Sequence, residues 1–107
     1  MKSPDKAVNS YWLHLAPMLA RRWGTQKFYS LEQVTQAAQA AGLTTEFIAY
    51  AHAMFCSRSD FNAYYAPLPV VYDYEAMRRV IGSRYCSGAT DFDTATIMMM
   101  LITESFS

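Results

Sequence analysis

Apolar residues recur at helical spacing in every long segment of the chain, and polar residues fall where helices should begin and end. Val8, Trp12, Leu15 and Leu19 stand four, three and four residues apart. That spacing places them on one helix face, which Tyr11 and Met18 widen. Ser3, Pro4 and Asp5 ahead of the stripe are a cap, a first-turn proline and a first-turn acid. Pro17 lies inside the stripe and removes the amide that would bond to the Leu13 carbonyl, at a cost of about 3 kcal/mol or a kink. Gly24 stops this helix, with Arg21 and Arg22 near its negative end.

Ser30 with Gln33 is a capping box for a second helix, alanine-rich through Val34, Ala37, Ala38 and Ala41 and ended by Gly42. Thr44 is placed to cap a third. Its "FIAYAHAMF" is apolar on nearly every side, which predicts a central helix surrounded by others. Ser57 with Asp60 starts a short fourth helix carrying Phe61, Tyr64 and Tyr65. Two prolines in "APLPVVY", Ala66 to Tyr72, then force turn or extended backbone. Asp73 caps a fifth helix with Tyr74, Met77, Val80, Ile81 and Tyr85 on one side, and Glu75 is placed to pair with Arg78 or Arg79. Thr90, Asp91 or Asp93 opens a last helix, "TATIMMMLITES". The pattern predicts an all-α fold, one compact bundle of five or six helices over residues 1–107 with a proline-containing loop near 66–72.

The stretch "EQVTQAAQAAGLTTEFIAYAHAMF", Glu32 to Phe55, has the outline of a helix-turn-helix, with Ala38, Gly42, Leu43 and Ile48 at suitable spacing. Its chemistry is poor for reading DNA. Thr44, Thr45, Glu46, Ala49, Tyr50 and Ala53 are the positions expected to face outward, and no Lys or Arg occurs from Phe28 through Ser57. Arg21, Arg22, Lys27 and Arg58 are the cations near enough to touch phosphates. The better account is two packed helices, with a DNA-binding regulator using residues 31–55 as the alternative.

Composition narrows the choice further. The chain is 52% hydrophobic and 15% aromatic, enough to fill a core, and only 17% charged. Nine Lys and Arg balance nine Asp and Glu, so no long-range field draws the chain to a polyanion or an anionic membrane. "MKSPDKAVNS" lacks the apolar stretch of a secretory signal, and Ile97 to Ile102 is far short of the ~20 residues of a spanning helix. Two cysteines are too few for a secreted disulfide scaffold. A cytoplasmic protein is expected, with no membrane partner.

His14, His52, Cys56 and Cys86 make a zinc inventory, but their spacing matches no compact zinc module. A His or Cys on an apolar helix is better explained as core. No phosphate cradle or nucleophile elbow is present. No catalytic residue, cofactor or metal is therefore assigned. What remains is surface chemistry: Tyr64, Tyr65, Tyr72 and Tyr74 gather around two prolines, and Met98, Met99 and Met100 sit within six successive apolar residues. Tyrosine and methionine both suit contact surfaces. The expectation is a non-catalytic protein working through protein contacts, as a homodimer or adaptor.

The runs "RRWGTQKFYSLEQV", "YAHAMFCSRSDFNAYY" and "YCSGATDF", with Gly24, Tyr29, Tyr50, Met54, Phe55, Cys56, Asp60 and Phe92, resemble a group of small bacterial helical proteins of unknown function. The resemblance runs from about Tyr11 to Phe92. It implies a bacterial, cytosolic helical domain and carries no activity, cofactor or substrate with it.

Overall fold

The structure is a computed structural model that describes residues 4–106, with side chains through Leu101. It contains six helices: α1 Asp5–Trp23, α2 Leu31–Ala40, α3 Ile48–Phe55, α4 Arg58–Tyr65, α5 Tyr74–Tyr85 and α6 Thr94–Phe106. No strand occurs among the described residues. The fold is an all-α bundle. Its radius of gyration is 13.0 Å, which is what about 100 packed residues should give.

The bundle is arranged around α3. In this short helix Ala49, Ala51, His52, Ala53, Met54 and Phe55 are all buried, and α1, α2, α4 and α5 pack around it. The missing polar face that made α3 central in the sequence is what lets four helices close on it. α1 supplies Val8, Tyr11, Trp12, Leu15, Ala16 and Leu19 to the core, and α6 packs on its other flank with Ile97 fully buried. Trp12 stacks on Tyr85 at 4.4 Å and meets Phe92 edge-on at 6.0 Å. These rings join the first helix to the last third of the chain.

Side-chain caps set most helix starts. Ser30 Oγ accepts from the Gln33 amide while Gln33 Oε1 accepts from the Ser30 amide, completing the capping box. Ser57, Asp73 and Asp93 cap α4, α5 and α6 by accepting the amides of Asp60, Ala76 and Thr96. At the end of α2, Gly42 adopts φ +71, and the amides of Gly42 and Leu43 donate to the Gln39 and Ala38 carbonyls. That pair of bonds closes the helix in a Schellman turn.

α1 runs through Pro17 as one helix, and several expectations about the other helices are corrected. Leu13, whose carbonyl loses its partner, lies on a side of α1 open to water. α3 begins at Ile48, not after Thr44: the Ile48 amide donates to the Thr45 carbonyl, while the Thr44 carbonyl accepts from the Tyr11 hydroxyl at 2.5 Å. Val80 is exposed, and Arg78 takes the buried position on α5. Glu75 pairs with Arg58 of α4 instead of an arginine on its own helix. The Ser3 cap lies outside the described residues.

Candidate functional site

Two buried basic residues and one exposed apolar segment carry the chemistry that the bundle displays. The first buried residue is Arg78 on α5. Its Nε donates to the Thr90 carbonyl at 2.9 Å, Nη1 to the Ala53 and Met54 carbonyls at 2.7 and 3.4 Å, and Nη2 to the Phe92 carbonyl. The guanidinium lies 3.8 Å from the Phe92 ring centroid and 5.3 Å from that of Tyr74.

The last carbonyls of a helix have no partner within it and carry its negative end. In α3 every one is accounted for. Arg78 takes Ala53 and Met54, the Tyr29 amide donates to Phe55 at 2.8 Å, and the Tyr74 hydroxyl donates to Cys56 at 2.8 Å. Burial pushes the Arg78 pKa below its usual value, but carbonyl dipoles and ring faces replace the water it has lost. The connection between α5 and α6 reaches Arg78 because it lies directly on Gly82: a Cβ there would stand 1.9 Å from the Ala89 carbonyl oxygen.

His52 on α3 is the second. Its Nε2 hydrogen-bonds Thr35 Oγ1 at 2.9 Å and its Nδ1 hydrogen-bonds the Tyr65 hydroxyl at 2.6 Å. Burial lowers its pKa to about 4, opposed by the smaller effect of the Leu31 backbone. The imidazole is therefore neutral at physiological pH. Burial pushes the Cys56 and Tyr65 pKa values well up, so neither offers an anionic nucleophile. Above His52, an open cavity of about 400 Å³ is lined by Leu31, Glu32, Thr35, Gln36, Gln39, His52 and Tyr64.

The exposed segment follows α4. Tyr65 is buried and touches Phe61, Tyr64 and Tyr72, at centroid distances of 4.6, 4.7 and 5.2 Å. Tyr64 and Tyr72 are exposed on either side of it, so a buried ring holds two outer rings in place. The loop between them presents Leu68, Val70 and Val71, the last 98% exposed.

The seven residues read as a contact surface thus divide. Tyr64 and Tyr72 are exposed together, whereas Tyr65 and Tyr74 are core residues. On α6, Met99 is 68% exposed, while Met98 and Met100 pack against the core. The Cys86 thiol donates to the Met100 sulfur at 3.9 Å.

Arg21 and Arg22 are exposed at the end of α1, and Lys27 is exposed in the connection to α2. Arg22 lies over its neighbour Trp23, and Arg58 is ion-paired with Glu75. Ala49 and Ala53, expected on the open side of α3, are buried by the helices around it. His14 is exposed on α1 while His52, Cys56 and Cys86 are buried. Among the described residues no three His, Cys, Asp or Glu side chains gather closely enough to hold a metal ion, and no helix is long and apolar enough to cross a membrane.

Sequence reasoning missed Arg78 and Gly82. Arg78 has no sequence signal separating it from Arg79. Gly82 has a weak one, since an isolated glycine inside a helical pattern often marks close packing. No curated protein and no solved structure matches the chain. The profile of DUF6559, a family of unknown function, matches residues 4–107, and the chain belongs to that family.

Proposed function

We propose that this protein is a non-catalytic, single-domain cytoplasmic module that acts through protein contacts made by residues 64–72, with self-association as the first case. One observation carries the reading. Of the eight exposed large apolar side chains among the described residues, Tyr64, Leu68, Val70, Val71 and Tyr72 fall within nine consecutive positions. Exposed large apolar side chains concentrated in one segment mark a contact site more often than ones scattered singly. Two prolines and the buried Tyr65 ring hold it in one shape, which lowers the entropy lost on binding. The enclosure of α3 and the Arg58–Glu75 pair weigh against the helix-turn-helix reading.

Sedimentation equilibrium over a concentration series tests self-association. The wild type should dimerise with little salt dependence, and Val71→Asp should dissociate it while leaving the circular dichroism spectrum unchanged. A wild type that stays monomeric throughout removes the homodimer. A photo-reactive residue at position 71 then tests for a different partner in the cell, and failure to cross-link any protein would end the contact reading.

A further inference from the structure

We infer that the cavity above His52 binds a small organic cation with a flat apolar body, an arylalkylammonium in chemical class. Its volume of about 400 Å³ is at the small end of ligand pockets, which suits one ring and a short arm. Glu32 carries the one formal charge in the lining. One Glu32 oxygen accepts from Gln36 Nε2 at 3.2 Å. An ionised carboxylate retains capacity for further donors.

Tyr64 also lines the cavity. Its ring meets Tyr65 at 81° and His52 at 72°, so its orientation is braced from below while half its surface stays exposed. A carboxylate and an aromatic ring in one lining favour an ammonium bonded to an apolar group. His52 is neutral and adds no opposing charge.

The competing ligand classes fit less well. An anion at the start of α2 would meet Glu32, and the Gln33 amide is already taken by Ser30. Among the described residues no three His, Cys, Asp or Glu side chains gather there to hold a metal ion. The cavity shares Tyr64 with the proposed contact surface, but Val71, the position probed there, is not in its lining.

The test is a titration of the full chain with phenethylamine, following the ring resonances of His52 and using the exposed His14 as an internal control. The expected result is a saturable shift at His52 alone, absent with phenylacetate and weaker with spermidine, which lacks a ring. Glu32→Gln should weaken binding roughly fivefold, the scale of an exposed ion pair. No saturable shift up to roughly 10 mM phenethylamine would overturn the inference. So would an equal response to phenylacetate, equal affinity for spermidine, or unchanged affinity in Glu32→Gln.

Discussion

Arg78 and His52 are both basic side chains and both 3% exposed, yet the fold accommodates them in opposite ways. Arg78 cannot shed its proton at any ordinary pH, so the protein surrounds it with carbonyl oxygens and ring faces. His52 can shed its proton at little cost, so the protein gives it two hydroxyls and leaves it neutral. The difference teaches where each residue's contribution lies. Arg78 joins α5 to the C-terminal end of α3 and to the connection before α6. His52 joins α3 to α2 and α4 beneath a cavity. One is a pH-independent tie, and the other makes stability depend on pH.

The largest expected effect comes from removing the tie. Arg78→Ala strands the Ala53 and Met54 carbonyls in the core and should cost roughly 4 kcal/mol in urea denaturation, equally at pH 7 and pH 5. Gly82→Ala attacks the same junction from the other side, because its Cβ would push the Ala89 backbone away and withdraw the Thr90 and Phe92 carbonyls. The double variant should therefore lose less than the sum of the two single losses. Full additivity would show that the two residues do not share one junction.

The effect of pH is next in size. The His52 pKa is 6.5 when unfolded and about 4 when folded, so between those values the unfolded chain binds more protons. Stability contributed by neutral His52 is complete above pH 6.5 and falls as the pH drops toward 4, by about 3 kcal/mol in all. His52→Gln keeps hydrogen-bonding groups without titrating in this range, so its pH profile should be flatter there. A profile as steep as the wild type would place the titration elsewhere.

The smallest effect should come from Tyr65→Phe. It removes one hydrogen bond to His52 while retaining the ring that braces Tyr64 and Tyr72, at a cost of about 1–2 kcal/mol. If it costs as much as Arg78→Ala, the contrast between a tie and a polar node fails.

Much of the fold was legible in the sequence because it rests on local chemistry. Ser30 and Gln33 satisfy one another's amides within four residues, and Ser57, Asp73 and Asp93 do the same for single donors. No distant partner is needed, so the residue types alone predict those helix starts. Thr44 shows the limit. It has the side chain of a cap, but its carbonyl is bound by the hydroxyl of a tyrosine 33 positions earlier and the Ile48 amide turns to Thr45, so the helix starts later. The site was less legible. "YY" at 64–65 and "RR" at 78–79 are doublets of identical residues, and nothing local ranks one member above the other.

Local chemistry and periodicity determined the helices, most of their caps, and the central position of α3, since each follows from residue type and a repeat of 3.6. Tertiary structure alone decided which of two adjacent identical residues carries the role. Neighbours on a helix point about 100° apart, so the face that meets α3 buries Tyr65 and Arg78 and leaves Tyr64 and Arg79 exposed. Tertiary structure also decided that α3's terminal carbonyls are met by donors from Tyr29, Tyr74 and Arg78. Those donors stand 18 to 26 residues from the carbonyls they serve in the chain, and packing brings them to one place.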